Sequence, residues 1–152
     1  MSASRRAWLR AGAVALATIV LDQIAKALVE HNLVPGEHVE VLGPLELTLA
    51  HNSGVAFGLA SGGGAALIAL TLVALGFVGV LFARNPSRPG MWIATGLLAG
   101  GACGNLIDRV RADAVTDYVA ILSWPPFNLA DMAITVGVLV LALSYTSEAG
   151  GR

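Results

Sequence analysis

The stretch FNLADMAITVGVLVLAL, Phe127 to Leu143, is apolar enough to cross a bilayer, yet it carries Asn128 and Asp131 one helical turn apart at its start. An acid at the centre of a membrane helix costs roughly 2.5 to 3.5 kcal/mol even on the lenient insertion scale, so such a residue is first read as functional. The rest of the chain says what membrane this run belongs to and what Asp131 meets.

Of the 152 residues, 56% are hydrophobic and 12% charged, against roughly 25% charged in a soluble domain. Four apolar runs fill the length: Trp8 to Val29, Gly64 to Ala83, Met91 to Ile107 and Pro126 to Tyr145. At about 20 residues per crossing, they leave space for one domain spanning residues 1–152 and only two substantial connections. The expected fold is an all-α membrane protein of four transmembrane helices with a small extracytoplasmic β-cradle or hairpin. That hairpin is read in HVEVLGPLELTLAHN, where Val39, Val41, Leu45, Leu47 and Leu49 nearly alternate around a Gly-Pro turn. The twin arginines of SRRAWLR resemble a cleavable export signal, but that reading is rejected: three further apolar segments follow, and a membrane-retained first helix with flanking arginines explains the same residues.

Charge is distributed unevenly. Arg5, Arg6, Arg10, Arg84, Arg88 and Arg152 fall on one side of the expected topology, against Lys26, Arg109 and Arg111 on the other. Basic residues stay inside, so both termini and the Arg84–Arg88 loop are expected in the cytoplasm. The other side collects all the acids except Glu148, from Asp22 through Asp131. No basic run longer than Arg5-Arg6 exists, which argues against nucleic acid as a partner. The single Cys103 forms no intramolecular disulfide and reads as a small packing residue.

Four polar patches interrupt the apolar background. In LDQIAK, Asp22 and Lys26 share a helix face and can pair, with Lys26 either at a site or snorkelling to the interface. In AHNSGVAFG, His51 to Gly58, Asn52 offers donors and acceptors, and Gly54 and Gly58 bracket apolar residues. GGACGNLIDRV puts Asn105 on one face with Asp108 and Arg109, while Gly96, Gly100 and Gly104 repeat every four residues and allow close helix packing. The last patch holds Asp117 in VTDYVAI and Asp131. Taken singly, Asp117 reads as a loop or strand-edge carboxylate and Asp131 as a first-turn acid favoured by the helix dipole. Taken together, the short connection between them lets two carboxylates meet near one face of the membrane. Such a pair shares a proton, the charged member acting as general base on water and the protonated one polarising a carbonyl.

In this order, LDQIAK, HNSGVAFG, GGACGNLIDRV, VTDYVAI and PPFNLADMAITVG resemble the lipoprotein signal peptidases, the signal peptidase II family, over about Leu21 to Gly137. The resemblance implies an aspartic endopeptidase of the inner membrane that cuts a prolipoprotein before its diacylglyceryl-modified cysteine. Its active site would lie near the outer leaflet, and it would need no metal or cofactor. It also implies that Asp117 and Asp131 are the catalytic aspartates and that Asn52, Asn105, Arg109 and Asn128 shape the site, with Asp22 and Lys26 as the first-helix pair. Gly54 and Asp108, in the same motifs, are counted with them. The chain departs from the family pattern at Asp113, where glycine is usual, and at Tyr118, where phenylalanine is common.

The expected partners are lipid-modified prolipoproteins and membrane lipids, with the enzyme itself a monomer. Two other readings stay open. A proton-coupled transporter would place Asp22 or Asp131 near the midplane, and a scaffold would use the glycine stripe alone. A metallopeptidase is disfavoured because His31, His38 and His51 lack HExxH spacing.

Overall fold

The computed structural model describes residues 2–54 and 63–146. Val55 to Gly58, Glu148 and Arg152, invoked above, lie outside the described residues. The element order is α1 (Ala3–Asn32), β1 (His38–Leu42), β2 (Leu45–Asn52), α2 (Gly63–Arg84), α3 (Met91–Ala112), β3 (Val115–Ile121), β4 (Trp124–Phe127) and α4 (Leu129–Thr146). Among the described residues three helices, α1, α2 and α4, have the length and apolarity to cross a membrane. The second half of α3 carries Asn105, Asp108, Arg109 and Arg111, which interrupt its apolar run.

Helix α3 is the centre of the packing, lying mainly between α1 and α4. The glycine stripe explains how close α1 comes. A Cβ added at Gly96 would sit 2.8 Å from the Ala11 carbonyl oxygen, one at Gly100 2.8 Å from that of Ala15, and one at Gly104 2.6 Å from Asp22 Oδ2. Without side chains on that face, backbone meets backbone and the two helices gain dispersion contacts that lipid would not supply. Most of α2 faces outward, with Leu70, Leu72, Val73, Phe77 and Val80 all exposed, as expected of a helix solvated by lipid.

The hairpin is present, with β1 and β2 antiparallel about the Gly43-Pro44 turn, but it is half of a larger sheet. Strands β1 to β4 pair in order, all antiparallel. The segment VTDYVAI, expected in a connection, is β3, and its residues Val115 to Tyr118 are buried between β2 and the helix ends. Pro125 and Pro126, expected to open the last helix, lie instead in β4, the sheet's edge. Proline donates no ladder hydrogen bond and is tolerated at an edge.

Helix α3 runs five residues past its expected end at Ile107. It stops where Asp113 takes the left-handed conformation at φ 56° and donates its N–H to the Arg109 carbonyl. Left-handed C-terminal caps favour glycine, and aspartate is among the few other residues that adopt them.

Candidate active site

Asp117 lies in the middle of β3, and Asp131 in the first turn of α4. The segment joining them is a tight strand turn plus Asn128, which brings both acids to the same end of the helices. Asn128, fully buried, is the link. Its Nδ2 donates to Asp117 Oδ1 at 2.7 Å, its backbone N–H donates to Asp131 Oδ2 at 3.3 Å, and its Oδ1 accepts from the Asp131 N–H at 2.9 Å. The last two bonds are a reciprocal cap of α4, so the first-turn role read for Asp131 is real and coexists with its place beside Asp117.

Every donor in the first turn of α4 is held by a residue of this cluster. The Leu129 N–H reaches the Tyr118 hydroxyl at 3.2 Å, the Ala130 N–H reaches Asp22 Oδ1 at 3.0 Å, and the Asp131 N–H reaches Asn128 Oδ1. An anion and two dipoles placed at the positive end of the helix fix where the Asp131 side chain starts.

Lys26 does not snorkel to the interface. It is 3% exposed and points inward, with Nζ 2.8 Å from Asp22 Oδ2, 2.7 Å from Asp108 Oδ2 and 3.0 Å from Asn105 Oδ1. A buried ammonium is tolerated only when its protons are all taken, and here three oxygens take them. Asn105 then passes the order onward, donating from Nδ2 to Asp131 Oδ1 at 2.8 Å. Asp108 also accepts from Gln23 Nε2 at 2.9 Å and from the Thr116 N–H at 3.4 Å, tying α1, α3 and β3 together.

On the sheet side, Ala50 of β2 pairs with Asp117. Asn52, at the end of β2, donates from Nδ2 to Asp117 Oδ2 at 3.0 Å while its Oδ1 accepts from the Gly54 N–H at 3.0 Å. Gly54 is buried at φ 78°, a left-handed conformation that favours glycine at the turn that aims Asn52. Burial pushes the Asp117 carboxyl up, the Asn52 hydrogen bond draws it down, and the Asp131 charge pushes it up again, leaving it at about 6.

Arg109 lies at the rim rather than in the network; its guanidinium makes a 3.5 Å bond to the Asn105 carbonyl. It lines, with Asn105 and Asp131, a mainly apolar groove of about 500 Å³ between α2, α3 and α4. A second apolar groove of about 420 Å³, between β4 and α4, is lined by Trp124, Phe127, Asp131, Met132, Thr135 and Val136. Asp131 borders both.

The residues singled out from the sequence therefore converge, with Arg109 peripheral. Gln23, Thr116 and Tyr118 belong to the cluster and were not singled out for it. Gln23 and Thr116 stand inside motifs already read, and Tyr118 stood out only as a departure from the family pattern.

A family model described as Signal peptidase (SPase) II matches residues 14–147. The chain belongs to the signal peptidase II family. It is 39% identical to a lipoprotein signal peptidase of Moorella thermoacetica over 139 residues, covering 90% of this chain and 93% of that one. It is 40% identical to one of Caulobacter vibrioides over 159 residues, covering 97% and 93%. Among solved structures, a bacterial membrane enzyme determined by the in meso method at 2.3 Å resolution superposes with a TM-score of 0.85, at 27% identity over 93% of this chain and 90% of that one. Each of the five ordered motifs of this signal peptidase II family member thus contributes described residues to its polar cluster.

Proposed function

We infer that this protein is a membrane-embedded aspartic endopeptidase that removes signal peptides from prolipoproteins, cutting before the diacylglyceryl-modified cysteine. The observation that carries the reading is the pair of carboxylates tied through Asn128 at one end of the helices, with apolar grooves meeting at Asp131. A transporter needs its acid near the midplane; these acids lie at a helix start and in a sheet. A scaffold needs neither acid.

The division of labour follows from the environment. Asp117, raised to about 6 by burial and by the neighbouring charge, holds the dyad's proton. Asp131, half-buried at the groove mouths and steadied by Asn105 and the Asn128 N–H, is the base. Asp131 takes a proton from water as the water oxygen bonds to the scissile carbonyl carbon, and the Asp117 proton passes to the carbonyl oxygen. In collapse, the carbonyl re-forms, Asp117 regains its proton and Asp131 gives its proton to the departing amine of the cysteine. One water is consumed and the dyad returns to its starting state.

Depth supports the same substrate. A lipid-modified cysteine is anchored in one leaflet, so its peptide bond lies at the interface, at the level of the sheet and the α4 start. The fourth crossing is supplied by α3, whose 22 residues extend about 33 Å at 1.5 Å each, enough for the hydrocarbon core of about 30 Å. Its inward polar groups Asn105 and Asp108 are held by α1, α4 and β3 rather than turned to lipid. The unit is a single peptidase domain of the inner membrane, with both termini cytoplasmic, the dyad near the outer leaflet, and a monomer as the working form.

The test is cleavage by purified protein of two otherwise identical precursors, with and without the diacylglyceryl group, the products read by mass spectrometry. A single cut before the lipidated cysteine, with the unmodified precursor intact, is expected. Failure of the folded enzyme to cut the lipidated precursor would overturn the reading.

A further inference from the structure

The arginines at the far end of the helices take no part in the dyad, and three of them meet. Arg6 and Arg10 of α1 and Arg88 of the α2–α3 connection line a cavity of about 240 Å³ with Ser87 and Trp92. Two of the guanidiniums rest on aromatic faces, Arg10 at 5.6 Å from the centroid of the Trp92 ring and Arg88 at 3.9 Å from that of Tyr145. The Arg10 guanidinium is thereby held against Trp92, which also lines the cavity, whereas the ring under Arg88 lies outside its lining.

Arg6 and Arg10 stand one turn apart on the same helix, an arrangement that is repulsive unless an anion lies between them. No acid lines the cavity among the described residues. The start of α3 adds to the positive field, since its N-cap Gly90 supplies no side-chain acceptor and its first turn has no acid. Arginine forks and a helix N-terminus are the groups that bind phosphate oxygens. On the same turns of α1, Trp8 and Leu9 are 46% and 57% exposed, apolar surface of the kind that meets acyl chains.

We propose that this cavity binds the phosphodiester of an anionic phospholipid in the leaflet opposite the aspartates. Basic pockets between membrane helices on the cytoplasmic side recognise such headgroups. The lipid would clamp α1 to the α2–α3 connection and so steady the helix pair that carries Asp22 and Asn105 at its other end.

The experiment uses the full-length protein in a neutral detergent, titrated with dioctanoyl phosphatidylglycerol, dioctanoyl phosphatidylcholine or inorganic phosphate, reading Tm and tryptophan fluorescence. Phosphatidylglycerol should raise Tm saturably, while the other two should not at the same concentrations. Arg6→Gln and the double variant Arg6→Gln/Arg10→Gln should weaken the apparent affinity about tenfold, the loss of a charge-assisted pair. Arg84→Gln removes the same charge at the same end but outside the cavity and should change it by less than about twofold. All of these variants should cleave prolipoprotein normally in detergent. An equal loss in Arg84→Gln would reduce the effect to diffuse attraction and overturn the site. Equal saturation by inorganic phosphate would overturn the lipid assignment, and no saturable response would overturn both.

Discussion

The Asp117 carboxyl, at about 6, gives the pH dependence a definite sign. Its folded value lies above the 3.8 of the free side chain, so the native state holds this proton more tightly than the unfolded chain. The contribution to stability is complete below about 3.8 and is lost as pH rises through about 6. Catalysis by a singly protonated dyad runs the same way: kcat/KM should fall on a basic limb with an apparent pKa near 6 belonging to the pair. A profile flat from pH 5 to about 9 would contradict the assignment of the proton. Tyr118 offers a second check at this scale. Its hydroxyl accepts the first N–H of α4, so Tyr118→Phe should cost about 1 kcal/mol in thermal stability while leaving cleavage largely intact. The sequence showed these residues as a set, because polar groups in apolar runs stand out. It did not show that Lys26 turns inward, since α1 is apolar on nearly every face and either direction satisfies its spacing from Asp22.

Among elements, α3 fixes the site by how closely its neighbours approach. Gly100→Val would place a Cβ 2.6 Å from that of Thr18 and 2.8 Å from the Ala15 carbonyl, so α1 must move. The cost should be about 1 to 3 kcal/mol, and cleavage should drop because Asp22 is drawn away from the Ala130 N–H. Gly76→Val on α2, with nothing within 4 Å, should be nearly neutral in the same thermal and cleavage assays. At the other end of α3, Asp113→Gly should raise stability by roughly 1 kcal/mol, the cost of a side chain in the left-handed region, with activity unchanged. The helices and the first hairpin were legible because their periodicities are local. The pairing of β2 with β3 was not. It joins residues 45–52 to 115–121, and the acid at 117 made a buried strand read as a polar connection. The end of α3 was misplaced for a related reason: Asp108, Arg109 and Arg111 look like the end of a membrane run, but Asp108 is held by Lys26 and Gln23 of α1 and the Thr116 N–H of β3, and Arg111 reaches Gln23.

Over the whole molecule, the charges divide into two ends with different work. The aspartates, asparagines and Lys26 close around the start of α4, and the arginines gather where α1 and α3 begin. The interior between them is small residues in close contact. The account rests most directly on the two carboxylates acting as one unit, and the measurement that tests this is single-turnover cleavage of lipidated prolipoprotein, with EDTA present, by wild type, Asp117→Asn and Asp131→Asn. Each replacement keeps size and hydrogen-bonding shape but removes one member of the shared proton site. Wild type should cut despite the chelator, and each folded, membrane-inserted variant should lose at least about 10²–10⁴-fold in rate, the range for a general acid or base. Turnover near the wild-type rate in either variant, or loss of wild-type activity to the chelator, would contradict the account.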